Sequence, residues 1–253
     1  MFIDSILKSI GGTPLIQLRR MSSGTVFGKA EFLNPGGSIK DRVAKHIIES
    51  AEKEGKLKSG MIVIEATSGN TGIGLSLIGV QKGHRVICVM PENMSEERKK
   101  IIKAFGGEII VSPAKESLPG SLKKMKEIIQ IDPGKYFVAN QFVNLHNPEI
   151  HYQQTAPEIW NDLEGGIDIF VAGIGSGGTL QGIGKYLKEK TPTIKVVAVE
   201  PKNSAALLGR EPGLHQIQGI GDGFIPDVLD VDLVDMVFTV SDEEAVETTR
   251  RLS

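Results

Sequence analysis

The sequence predicts an α/β protein of two doubly wound domains, each built on an open, twisted and mostly parallel sheet. Three observations carry that prediction. Residues 61–90 read as a short apolar strand, a polar loop containing glycine, a helix of small and apolar residues, and a second apolar strand. Residues 167–200 repeat the order with a different glycine loop, and a strand-helix-strand crossover requires parallel strands. Between them, residues 140–148 form a long polar connection that suits a passage between domains better than a single turn.

Taken in order, residues 3–9 have the spacing of a short helix, and Gly11-Gly12-Thr13-Pro14-Leu15-Ile16 reads as a turn into a strand. Phe27 to Leu33 alternates Lys29 and Glu31 with apolar neighbours, as a strand does. It leads into Asn34-Pro35-Gly36-Gly37-Ser38-Ile39-Lys40-Asp41-Arg42, where the Pro-Gly-Gly bend breaks the backbone. From Lys40 to Glu54 the apolar positions Val43, Ala44, Ile47, Ile48 and Ala51 keep helical spacing until Gly55 stops the run. The first crossover follows: strand 61–65, loop 66–72, helix 73–82 and strand 85–90. A charged helix at 95–105, a strand at 108–111, a helix at 120–129 and a strand at 136–139 continue the same pattern. Past the polar connection come a helix at 149–163 and the second crossover: strand 167–172, loop 173–179, helix 180–190 and strand 194–200. The remainder holds a third glycine-rich loop at 218–224 and a strand at 236–240. A last helix starts on Ser241 with Glu244 three residues on, the pattern of a capping box.

Composition narrows the function classes. Against 31 Asp and Glu stand 29 Lys and Arg, a net charge of −2 with no basic block, so the electrostatic basis for nucleic-acid binding is missing. No tract approaches the roughly 18 uncharged apolar residues that a membrane span needs, and Met1-Phe2-Ile3-Asp4-Ser5 lacks the features of a leader, so a soluble cytoplasmic protein is expected. Cys88, the single cysteine, lies in the apolar run Val86-Ile87-Cys88-Val89-Met90 and reads as core packing. The 30 glycines cluster in short loops, which points to backbone that approaches a ligand closely. His146 and His151 have no third ligand in sequence reach, His46, His84 and His215 are scattered, and no metal site is expected. Trp160 reads as packing.

Three stretches carry chemistry. Lys40 falls in the first turn of a helix, where the helix dipole disfavours a second positive charge and favours the neutral amine that forms Schiff bases. Gly175-Ser176-Gly177-Gly178-Thr179 leads into a helix, so its backbone N–H groups and two hydroxyls make an anion site suited to a phosphate monoester. Gly173, Gly175 and Gly178 also satisfy G-x-G-x-x-G after a strand, with Glu200 at the end of the next strand, so on this unit alone a nicotinamide-dependent dehydrogenase stays open. Thr67-Ser68-Gly69-Asn70-Thr71 is a second cradle at a helix start, of a size for a carboxylate.

A phosphate cradle, a carboxylate cradle and a helix-start lysine describe pyridoxal phosphate with an amino acid. On these residues, together with Gly12-Thr13-Pro14-Leu15, Asn140-Gln141-Phe142, Asn147-Pro148-Glu149-Ile150-His151 and Gln218-Gly219-Ile220-Gly221, the chain resembles the fold-type-II pyridoxal-phosphate enzymes. Within them it is most similar to the cysteine synthases (O-acetylserine sulfhydrylases), with the cystathionine β-synthases close by. The resemblance implies the tryptophan synthase β-like architecture, with a larger phosphate-binding domain from 1–36 and 147–253 and a smaller, mobile one from 37–146. It implies that Lys40 is the Schiff-base lysine and later the proton carrier, that Asn70 meets the cofactor's ring oxygen, and that Gly175 to Thr179 hold its phosphate. Thr67, Ser68, Gly69, Thr71 and Gln141 are implied to bind the substrate carboxylate, with Gly219 also at the substrate. The implied reaction is β-replacement on an activated serine by sulfide, through an aminoacrylate.

The resemblance further implies a homodimer and a site able to take the C-terminal tail of serine acetyltransferase, so a non-catalytic partner protein is the alternative of a different class. Three departures qualify it. The family's serine that meets the ring nitrogen belongs to a glycine-rich segment beyond Leu252, so a truncated form with weak cofactor binding and low activity is expected. Leu118 stands where the family usually has methionine. Asp222 replaces a small residue and would repel a phosphorylated serine if it faces the site, which favours O-acetylserine.

Overall fold

Strand and helix follow from where apolar runs meet glycine. The computed structural model describes residues 2–21 and 24–252, and only the backbone of Ser117; Met1 and Ser253, the ends of the expected domain ranges, lie outside the described residues. The chain forms two compact units, Met1–Gly11 with Glu31–His146 and Gly12–Ala30 with Asn147–Ser253.

This division differs from the expected one near the N-terminus, because residues 1–11 and 31–36 sit in the unit of 37–146. Local bonds explain why. Asn34 Oδ1 accepts the Gly11 N–H at 2.9 Å, and Lys45 Nζ donates to the Leu7 carbonyl at 2.9 Å. Glu31 takes both arms of the buried Arg42 guanidinium, each at 2.8 Å, a bidentate pair of the strong kind.

In the first unit, α1 (Lys40–Lys53), β3 (Ile62–Ala66), α2 (Asn70–Gln81), β4 (Arg85–Pro91), α3 (Glu96–Ala104), β5 (Glu108–Ser112), α4 (Ser117–Ile131) and β6 (Tyr136–Val138) alternate along the chain. The four strands form one parallel sheet in the order β5-β4-β3-β6. All five residues of β3 are buried, as a central parallel strand covered on both faces requires. Ile62, Ile64, Ala66, Ile87 and Val89 pack there with Leu118, Met125 and Phe142. Leu118, whose identity bears on the expected substrate, is a core residue of this cluster. Cys88 is buried, with its thiol near Ser76, and burial pushes it up to about 12, so it is inert packing.

The second unit begins with the antiparallel pair β1 (Leu15–Gln17) and β2 (Phe27–Lys29). The expected strand to Leu33 stops at Lys29, and Glu31–Leu33 is a 3-10 turn that brings Glu31 to Arg42. Later come α5 (His146–Ile150), whose first residue still belongs to the first unit, a π-helical turn at His151–Thr155, α6 (Ala156–Asp162), β7 (Ile169–Gly173), α7 (Gly178–Lys190), β8 (Lys195–Pro201), β9 (Met236–Val240) and α8 (Asp242–Leu252). β7, β8 and β9 form a parallel sheet in that order. α7 covers one face with Leu180, Ile183 and Leu187. On the other face Ile169, Val171, Met236 and Phe238 are exposed. The capping box at α8 is complete, since Ser241 Oγ accepts the Glu244 N–H and Glu244 accepts the Ser241 N–H.

Candidate active site

The lysine is set by its neighbours on both sides. The Lys40 N–H donates to Ser38 Oγ at 3.2 Å, and Gly37, at φ 82, bonds back to the Asn34 carbonyl at 2.8 Å, so the bend ends where α1 starts. Lys40 is the first residue of α1 and is half-buried. Asp41, fully buried, accepts the Gly36 N–H, and a Cβ on Gly36 would lie 2.3 Å from Asp41 Oδ1. Burial pushes the Asp41 carboxyl up to about 6, with the Gly36 N–H opposing and Glu31 adding to the shift. α2 crosses this helix closely: a Cβ on Gly74 would meet the Lys40 carbonyl oxygen at 2.9 Å. Asn70, four residues earlier, is about 6 Å of helix rise from that contact.

The loop before α2 is the second component, and it lies in the same unit. Asn70 is the first residue of α2, three earlier than apolar spacing predicts, because the polar first turn is helical without being amphipathic. Thr67 Oγ1 accepts the Gly69 N–H at 3.1 Å. Thr71 Oγ1 donates to Gln141 Oε1 at 2.6 Å, which joins the loop to the 140–142 segment. The backbone N–H groups of Ser68, Asn70 and Thr71 donate to no protein acceptor among the described residues. Gly69 has φ 150, and a Cβ there would meet Arg98 Cδ at 2.2 Å. Arg98, from α3, also donates to the Ser68 carbonyl at 3.2 Å, and burial holds its guanidinium below its ordinary value. That cation behind the loop has no signal in the sequence, since Ser95-Glu96-Glu97-Arg98 reads as an ordinary capped, charged helix.

The glycine loop of the second unit is built in the same way. Gly175 to Gly178 are buried, Thr179 half-buried, and Gly177 has φ 79 as the cap of α7. The N–H groups of Gly175, Gly177, Gly178 and Thr179 donate to no protein acceptor among the described residues, at the positive end of a thirteen-residue helix. Side chains would obstruct the loop: a Cβ on Gly175 would lie 2.4 Å from the Gly219 carbonyl, and one on Gly178 2.0 Å from Asn147 Oδ1. Asn147 Nδ2 donates to Ser176 Oγ at 3.0 Å. His151 is fully buried, with Nε2 3.4 Å from Thr179 Oγ1 and Nδ1 3.1 Å from Thr155 Oγ1. In the sequence the signal for this pair is the spacing of His151 four residues after Asn147, which puts both on one helix face. Buried N–H groups without acceptors, two hydroxyls and glycines that leave room fit a phosphate monoester.

Glu200, placed by sequence where a ribose-binding acid belongs, is buried and accepts the Leu207 N–H at 3.2 Å. Its carboxylate is used by its own chain, which weakens the dinucleotide reading. Asp222 is half-buried, with a carboxylate oxygen 3.7 Å from where a Cβ on Gly175 would sit. Gly219, at φ 103, is exposed. Thus Lys40, Thr67, Ser68, Gly69, Asn70, Thr71 and Gln141 belong to the first unit, and Gly175, Ser176, Gly177, Gly178, Thr179 and Gly219 to the second. Among the described residues, no helix is long and apolar enough to cross a membrane.

Comparison with known proteins gives matches along nearly the whole chain. The family model described as pyridoxal-phosphate dependent enzyme matches residues 6–253. A cysteine synthase of Staphylococcus aureus is 46% identical over 255 aligned positions, covering 99% of this chain and 82% of that protein. The crystal structure of cysteine synthase from Entamoeba histolytica superposes with a TM-score of 0.93 at 45% identity, over 99% of this chain and 76% of that one. A hydrogen sulfide-producing enzyme from Fusobacterium nucleatum gives a TM-score of 0.96 at 41% identity, over 100% of this chain and 85% of that one.

Proposed function

The chain belongs to the pyridoxal-phosphate dependent enzyme family, and we propose that it replaces the acetoxy group of O-acetylserine with sulfide, giving cysteine and acetate. The observation that carries this reading is the pair of loops before α2 and α7, each presenting backbone N–H groups that have no protein acceptor among the described residues. One has the size for a carboxylate and the other for a phosphate, and the bend before α1 delivers a lysine within the unit of the first.

When bound, pyridoxal phosphate supplies an aldehyde for an amine and a ring that withdraws electrons from the substrate's Cα. Lys40 would hold that aldehyde and, once displaced by the substrate amine, take and return the Cα proton. Gly175 to Thr179 would hold the phosphate, with Ser176 oriented by Asn147 and Thr179 by His151. Asn70 would reach the ring oxygen. Thr67, Ser68, Gly69, Thr71 and Gln141 would orient the substrate through its carboxylate, with Arg98 adding positive potential from behind. The reading extends to a cytoplasmic homodimer, and to capture of the C-terminal tail of serine acetyltransferase, whose terminal carboxylate would compete for the 67–71 loop.

The test is cysteine formation by the cofactor-loaded protein from sulfide with O-acetylserine or O-phosphoserine. Cysteine from the acetyl ester, at least tenfold faster than from the phosphate ester, is expected as an order-of-magnitude preference. Preference for the phosphate ester, or no cysteine from either, would reject the reading.

A further inference from the structure

We propose that Glu65 is a positioning residue for the substrate carboxylate: it holds the backbone of Asn140 and Gln141 and so sets the Gln141 side chain against Thr71. The inference rests on the proposed carboxylate-binding role of the 67–71 loop. All of its contacts lie within the first unit.

Glu65 occupies a place where an apolar side chain is the rule. Its neighbours Ile62, Val63, Ile64 and Ala66 on the central strand are buried, and Glu65 itself is 2% exposed. It forms no ion pair among the described residues. Instead Oε2 accepts the Asn140 N–H at 2.7 Å and Oε1 accepts the Gln141 N–H at 3.1 Å. Such a carboxylate in the interior is costly unless both oxygens find donors, and here each finds one.

The segment it grips is unusual in its own right. Asn140 has φ 54, a left-handed conformation that asparagine adopts more readily than most residues other than glycine, and it turns the chain into the corner at this point. On the far side Phe142 enters the core cluster with Ala66 and Leu118, fixing the segment from below. Gln141 lies between the two anchors, and its Oε1 accepts from Thr71 Oγ1 at 2.6 Å. Glu65 is only two residues from Thr67, so one strand end supports both sides of the cradle.

A carboxylate does this better than an amide. Glutamine offers one acceptor oxygen and would set its NH2 group against the other backbone N–H. Protonation of Glu65 has a related effect, because the protonated oxygen becomes a donor. Burial pushes Glu65 up to about 7, with the Asn140 and Gln141 N–H groups opposing. The titratable group opposite it is Cys88, paired in register on β4, whose thiol stays neutral in this range. From the 140–142 segment it meets backbone N–H groups. As pH falls through about 7, one of the two oxygens turns from acceptor to donor, so the grip on the corner weakens and substrate binding with it.

The test compares cofactor-loaded wild type with Glu65→Gln, reading KM and kcat for O-acetylserine against pH, alongside hydrogen exchange at the Asn140 and Gln141 amides. Glu65→Gln is expected to raise KM about tenfold at pH 8 while kcat falls less than about threefold. The wild-type rise in KM below pH 7 disappears in the variant, and both amides exchange at least about tenfold faster. If Glu65→Gln does not fold, hydrogen exchange in the wild type decides alone: both amides must lose protection as pH falls through about 7, after correction for intrinsic exchange. Unchanged KM and unchanged protection in the variant, or protection in the wild type that ignores pH, would overturn the proposal. Failure of O-acetylserine as a substrate for the wild type would reject the function and leave the exchange result to judge Glu65 separately.

Discussion

The two parallel sheets are written in the same sequence language yet live in different surroundings. β3 is buried at every residue, while β7 alternates, with Ile169 and Val171 exposed and Phe170 and Ala172 half-buried. β9 matches β7, exposing Met236 and Phe238. Both sheets read as apolar runs that end in polar, glycine-containing loops before helices. A continuous apolar run signals a strand fit for cover on both faces, but the run itself does not say where that cover comes from. The two loops, by contrast, are alike in structure as well as sequence. Each is closed to side chains at a glycine, at Gly69 by Arg98 and at Gly178 by Asn147. Loop chemistry is local, whereas burial of a sheet face depends on residues far away in the chain.

The largest difference should appear in stability. Ile64→Ala opens a cavity in a core covered on both sides and is expected to cost about 2–5 kcal/mol in denaturant unfolding. A smaller effect separates the loops. Gly178→Ala places a Cβ into Asn147, so cofactor affinity should fall at least about tenfold while the fold of the first unit is untouched. Equilibrium titration with pyridoxal phosphate reads this directly, and unchanged affinity would break the parallel between the loops. Smallest of all is Val171→Ala on the exposed sheet face, which should change stability by less than about 0.5 kcal/mol. If it costs as much as Ile64→Ala, the two faces are equally covered in solution and the contrast between the sheets is lost.

Particular residues show what the sequence could and could not convey. The bend before Lys40 was legible because proline and glycine act on their own backbone. The glycine loop at 175–179 was legible for the same reason, and its backing by Asn147 and His151 was present only as a spacing. The start of α2 was misplaced because Asn70 to Gly72 carry no apolar periodicity although their backbone is helical. The passage at 140–148 reads as a polar connection, but α5 begins within it at His146, and Asn140-Gln141-Phe142 is a corner gripped from both sides. Glu65 gave no warning, since one acid in an apolar strand looks like a surface position until its partners, 75 and 76 residues away, are known. The boundary at residue 36 failed for a similar reason, because the Glu31 to Arg42 pair and the Gly11 to Asn34 bond are tertiary contacts.

The most direct measurement is to reduce the cofactor-loaded protein with borohydride, digest it and locate the pyridoxyl phosphate adduct by mass spectrometry. The adduct is expected on the peptide that contains Lys40, and on no other lysine, with Lys40→Ala giving no adduct and activity lower by roughly 10^3-fold. An adduct on a different lysine, or full activity in Lys40→Ala, would contradict the role assigned to this residue.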